Sequence, residues 1–160
     1  MEEVGLGNRN RDRVTVKIRS DIATFGWYCL SVHPRQGELG SHFTYTIGLT
    51  ETLNHPEIMI FGLGSKTAHS ILSDCVTMIR QGTSFQPNVE YSNVIGGGYK
   101  VVFKQVRSEF LPEYFGTAVR YYKGRGLSGL IMFWPDKEHR FPWQEVNSTA
   151  QNEALTLVEQ

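Results

Sequence analysis

Val14, Ile18, Ile22 and Phe25 recur with polar residues between them, the spacing that lays one apolar stripe along a helix. The pattern predicts an amphipathic helix over residues 13–25, ended by Gly26. Residues 27–32 then form a short strand-like run, with Pro34, Gly37 and Gly40 as the turn after it. Over residues 42–49, His42, Thr44, Thr46 and Gly48 alternate with Phe43, Tyr45, Ile47 and Leu49, which predicts a half-buried strand. After a loop over 50–56, Glu57 leads into the unbroken apolar run Ile58, Met59, Ile60 and Phe61, as expected of a central strand covered on both faces.

Ser65 is placed to cap a helix in which Ala68, Ile71, Leu72, Cys75, Val76 and Ile79 form an apolar stripe, with Gly82 to end it. Residues 89–94 and 99–106 read as the arms of a hairpin joined through Gly96, Gly97 and Gly98. Pro112 opens a short helix whose Phe115, Ala118, Val119 and Tyr122 share a face, closed by Gly124 or Gly126. Residues 127–134 make a last buried strand, stopped by Pro135. Strands and about three helices that do not alternate strictly predict an α+β fold, built on a mainly antiparallel five- to six-stranded sheet with barrel-like closure left open. The predicted organisation is a flexible arm over 1–12, one globular domain over 13–146 and a polar tail over 147–160.

Composition narrows the partners. The chain has 160 residues, 40% apolar, enough to bury a core without staples. Sixteen basic side chains balance sixteen acidic ones, so no overall field favours polymeric nucleic acid or an anionic membrane. The local cluster Arg9, Arg11, Arg13, Lys17 and Arg19 is interrupted by Asp12 and Asp21 and reads as a solvated helix face. Cys29 and Cys75 have no metal or redox spacing and read as buried free thiols. Without a secretory leader or an apolar run of about 20 residues, the expected location is the cytoplasm. Homo-oligomerisation is left open.

The run Phe43-Thr44-Tyr45-Thr46-Ile47-Gly48-Leu49, then His55-Pro56-Glu57 and the strand to Gly62-Leu63, then Ala68-His69, and finally Phe133-Trp134-Pro135-Asp136 with Arg140-Phe141-Pro142-Trp143, resembles the bacterial family known as domain of unknown function 4262. The resemblance covers residues 26–143. It implies a bacterial or phage-encoded cytoplasmic protein and assigns no activity. The order of strand, loop, apolar strand and Ser65-Lys66-Thr67 opening a helix is also similar to the start of split-barrel flavin reductases, which implies that these three residues would meet the phosphate of flavin mononucleotide (FMN).

The candidate chemistry points to binding more than to turnover. His55, Glu57 and His69 are suitable metal ligands by type, but they lack a metal-binding spacing and also serve as loop organisers. Cys75 falls inside an apolar stripe and no serine stands in a nucleophile elbow, so no catalytic residue is assigned. A helix start at Ser65, with Lys66, Thr67 and the permissive Gly62 and Gly64 beside it, can hold a phosphate. Arg120, Tyr121, Trp134, Arg140 and Trp143 supply rings that stack on bases and guanidinium groups that pair with phosphate, or else belong to the core and to surface ion pairs. His42, Tyr45, Thr46, His55, Glu57 and His69 complete the candidate ligand-binding set. The leading expectation is a domain that senses or sequesters a nucleotide-like or phosphorylated small molecule, with no cofactor and no metal. An FMN-dependent split-barrel oxidoreductase and an immunity-like protein-interaction module are the alternatives.

Overall fold

Alternation along the strands sorts the apolar side chains into two cores, one on each face of a single sheet. The protein is described here by a computed structural model, which covers residues 2–37, 40–144 and 149–160. In chain order the elements are α1 (Glu2–Phe25), β1 (Tyr28–Val32), β2 (Phe43–Ile47), α2 (Leu49–Leu53), β3 (Glu57–Phe61), α3 (Ser65–Arg80), β4 (Glu90–Tyr91) and β5 (Val101–Gln105). A single 3-10 turn (Ser108–Phe110), α4 (Leu111–Tyr114), α5 (Gly116–Tyr122), β6 (Gly129–Phe133) and α6 (Thr149–Leu155) follow.

The six strands lie in the order β1-β2-β3-β6-β5-β4. Only β3 and β6 run parallel; the other neighbours are antiparallel. The fold is therefore α+β on a mixed, mainly antiparallel sheet. The sheet stays open, with β1 and β4 as free edges, so the barrel-like closure is not adopted. On one face Tyr45, Met59, Phe61, Ile131 and Phe133 pack with Ile18 and Ile22 of α1, Phe115 and Ala118, and Ala154 and Leu157 near the C-terminus. On the other, Ile58, Ile60, Phe103, Leu130 and Met132 meet Leu72, Cys75, Val76 and Ile79 of α3. Helices cover both faces, which explains why β6, and β3 after Glu57, are apolar throughout and why both strands are wholly buried.

Four local expectations are revised. Strand β2 is buried along its whole length, because α3 covers the face that carries Thr44 and Thr46. Their hydroxyls are satisfied internally, Thr44 by Ser31 at 2.9 Å and Thr46 by Glu57. Helix α1 continues to Glu2, through the Gly5, Gly7, Asn8 and Asn10 stretch whose low helix propensity marks it as coil in sequence. The helix foreseen from Pro112 is two, divided at Phe115, whose φ of −106° and ψ of 32° leave the α region. The C-terminal stretch read as a loose tail packs: Ala154, Leu157 and Val158 are buried, and Val106 bridges to Val158. The domain boundary predicted at 146/147 lies outside the described residues.

Candidate functional site

The β2–β3 connection is built around one carboxylate. Glu57 is completely buried at the start of β3. Its Oε1 accepts from Thr46 Oγ1 at 2.8 Å and the Leu49 amide at 3.1 Å. Its Oε2 accepts from the Thr50 amide at 3.0 Å, Thr50 Oγ1 at 2.8 Å and the Tyr122 hydroxyl at 2.7 Å. The network extends one bond further. Thr46 Oγ1 takes the Ile58 amide at 2.9 Å where the β2–β3 ladder has ended, and the Tyr122 oxygen takes the Gly48 amide at 2.8 Å. Gly48 can lead into α2 because its φ of 118° is accessible to glycine, and a Cβ there would come within 3.0 Å of Ile22 and the Trp27 backbone.

Electrostatics follow from that geometry. Burial pushes the Glu57 carboxyl above its ordinary pKa, and the Thr50 amide with the hydroxyls of Tyr122, Thr46 and Thr50 pulls it back. Burial and the adjacent carboxylate raise the Tyr122 phenol, keeping it a donor. Five donors on two oxygens leave Glu57 no lone pair for a substrate or metal. Its role is to tie β2, α2, β3 and α5 together. His55 is similarly engaged. Its Nδ1 lies 2.8 Å from the Pro56 carbonyl, and its Nε2 accepts the Phe85 amide at 3.1 Å. That pairing requires a neutral ring, and burial lowers its pKa accordingly. Among the described residues no cluster of three or more His, Cys, Asp or Glu could hold a metal.

The remaining predicted residues fall into separate places. Tyr45 is buried against Phe115 and hydrogen-bonds toward Thr117. His42 binds the Leu63 carbonyl through Nε2 at 2.8 Å and stacks on His33, which in turn reaches Ser65 Oγ at 3.3 Å. Ser65 is the first residue of α3, not its cap; Gly64 holds the cap position, with no side-chain cap bond. Lys66 and Thr67 are exposed on that first turn. His69 is exposed and stacks over Trp27. Trp134 donates Nε1 to the Phe61 carbonyl, and its backbone is clasped on both sides by the Gln151 amide. Arg140 pairs with Asp136 and Glu138 inside a turn, and Trp143 stacks on Phe141 beneath Lys104. The aromatic and basic residues of the last third therefore do not share one pocket.

Arg120 and Tyr121 do sit in a groove, and it is one that sequence reasoning missed. A hollow of about 230 Å³ lies between α1 and α5, lined by Asn10, Arg11, Val14, Thr15, Ile18, Thr117, Arg120 and Tyr121. A second, of about 430 Å³, is lined by Arg19, Thr50, Glu51, Tyr121 and Tyr122. Tyr121 borders both. Its hydroxyl donates to Glu51 at 2.5 Å, and burial with that carboxylate pushes its pKa up to about 12. Tyr122 and Thr50, in the second hollow, are two of the Glu57 donors, so the rigid network forms its floor. Among the described residues Arg11, Arg19 and Arg120 form no ion pair; Arg120 bonds only Thr117 Oγ1, at 3.1 Å. The signal available in sequence was the four-residue spacing of Arg11, Thr15 and Arg19 on one helix face, obscured by Asp12 and Asp21 beside them.

Comparison with known proteins identifies the fold's relatives at family level. The family described as Domain of unknown function (DUF4262) matches residues 21–148, and the chain belongs to it. No curated protein and no solved structure matches the chain. Residues within the matched range acquire structural meaning here: Thr46, Gly48 and Glu57 build the buried network, and Asp136 holds the turn through the Glu138 and Arg140 amides.

Proposed function

We propose that this member of the family is a cytoplasmic small-ligand-binding domain that holds a nucleotide-like or phosphorylated molecule in the groove between α1 and α5. The observation that carries the reading is Arg11 and Arg120 beside Tyr121 in that groove, with Arg19 in the second hollow that Tyr121 also borders, three guanidinium groups without an ion pair among the described residues in a chain of zero net charge. Guanidinium forks suit phosphate oxygens, and a tyrosine ring suits a base. Glu51 adds an acceptor for a ligand hydroxyl or amino group. In a bacterial or phage setting, such a domain would sense or sequester a nucleotide signal without transforming it; the buried Glu57 carboxylate beneath the second hollow has every lone pair occupied and is not available for chemistry.

A second reading is favoured by a different feature. The first turn of α3 has no side-chain cap and carries Ser65, Lys66 and Thr67, a setting that suits the phosphate of FMN. One experiment separates the two. The protein is purified natively, denatured by heat, and the supernatant is analysed by absorbance and mass spectrometry. A released nucleotide or phosphorylated metabolite is the expected result. A flavin spectrum would replace the first reading with the second, and a co-purifying protein with an empty supernatant would replace both with an interaction module.

A further inference from the structure

The two edges of the sheet are built differently. Strand β4 has only two residues, flanked by the Glu90–Lys100 ion pair, and so offers little to a passing strand. Strand β1 has five residues, Tyr28-Cys29-Leu30-Ser31-Val32, with no charge and no proline. All five are partly exposed, and their only strand partner is β2. Among the described residues no backbone hydrogen bond reaches the outer side of β1. An uncharged edge of this length, with none of the usual protective devices, is a template for another strand.

We propose that β1 pairs antiparallel with β1 of a second copy of this chain, joining two six-stranded sheets across a two-fold axis at Leu30. The strand's own sequence favours a copy of itself. Centred on Leu30, the register sets Tyr28 opposite Val32 and Cys29 opposite Ser31, with no charge on either side. The cross-strand pairs on one face are then apolar throughout. Tyr28, Leu30 and Val32 already rim the core that contains Tyr45 and Phe115, so pairing makes the two cores continuous. The same register brings Trp27 opposite His33 of the second copy. A hollow of about 430 Å³ beside the strand, lined by the apolar Phe25, Trp27, Tyr28 and Cys29 together with Asp21, His69 and Ser73, continues the surface beyond the ladder. Phe25 is 61% exposed in the single chain. These additions carry the contact toward the roughly 1,000 Å² that a specific interface buries.

The test uses the full chain. Sedimentation equilibrium should give twice the chain mass of 18.2 kDa at micromolar concentration. Leu30→Lys, which sets two ammonium groups against each other at the axis, should return the single-chain mass. Val32→Lys, at the strand end where a lysine can reach solvent, should shift the equilibrium the same way if Leu30→Lys fails to fold. Independently, Ser31→Cys should give a disulfide-linked dimer with native Cys29 under mild oxidation, and Ser70→Cys, on the exposed side of α3, should not. A single-chain mass at all concentrations would overturn the proposal. So would a dimer indifferent to both lysine variants, or Ser31→Cys cross-linking no faster than Ser70→Cys.

Discussion

Replacing Glu57 with glutamine changes one oxygen into an NH₂ group and keeps the shape, so it probes the buried network with little change in packing. All five neighbours of the carboxylate are donors. If the amide nitrogen takes the Oε1 position, the Thr46 hydroxyl can turn round, but the Leu49 N–H cannot. If it takes the Oε2 position, the hydroxyls of Thr50 and Tyr122 can adjust, but the Thr50 N–H cannot. Either orientation leaves one buried backbone donor facing another donor, which costs about 1–3 kcal/mol. The loss of charge assistance adds to this, and relief of the desolvation that raises the Glu57 pKa offsets part of it. For a chain of this size the melting temperature should fall by roughly 2–12 °C. Glu57→Ala, which orphans all five donors and opens a cavity, should cost more. Thermal unfolding by circular dichroism reads both. An E57Q protein as stable as the parent would refute the assignment of Glu57 as an acceptor saturated by five donors.

Further outcomes follow from other contacts. Burial lowers the folded pKa of His55 below the usual 6.5, and the neutral ring accepts the Phe85 amide at Nε2. Its contribution is full above that value and is lost as pH falls toward the folded pKa; unfolding curves between pH 7.5 and 5.5 should show this loss, and H55Q should flatten it. Gly62 has a φ of +82°, and a Cβ on it would lie 2.5 Å from that of Ala150, so G62A should lose about 1–3 kcal/mol and raise amide exchange in α6. Gly129→Ala puts a methyl 2.7 Å from the Phe115 ring and should cost a similar amount, about 1–3 kcal/mol, read by urea denaturation. Burial raises the thiols of Cys29 to about 11 and Cys75 to about 12; at pH 7.5 both should react with a thiol reagent more slowly than a free cysteine, Cys75 only on unfolding.

The strand pattern was legible because each strand's alternation or continuous apolarity reflects how many of its faces are covered. Residues 58–61 read as central and are. Residues 42–49 read as half-buried because threonine looks polar, yet a threonine hydroxyl with an internal partner is tolerated in a core; Thr44 and Thr46 have such partners. The C-terminal helix escaped notice for a related reason. Its buried positions are Ala154 and Gln151, one too small to weigh in a hydropathy pattern and the other polar, although the Gln151 amide satisfies both backbone groups of Trp134. The clustering of Thr46, His55 and Glu57 follows from their closeness in sequence. The approach of Tyr122, 65 positions from Glu57, of Arg11 to Arg120 and of Arg19 to Tyr121 is a tertiary event that no local spacing encodes.

The most direct test of the groove as a ligand site is equilibrium dialysis of the protein against a panel of mono- and dinucleotides and phosphorylated sugars, beside Arg11→Gln and Arg120→Gln variants of unchanged melting temperature. At least one phosphorylated compound should bind at micromolar concentration, and each variant should lose about tenfold or more in affinity, the effect of removing one charge-assisted contact. Absence of binding across the panel, or binding that neither variant weakens, would contradict the assignment of the α1–α5 groove.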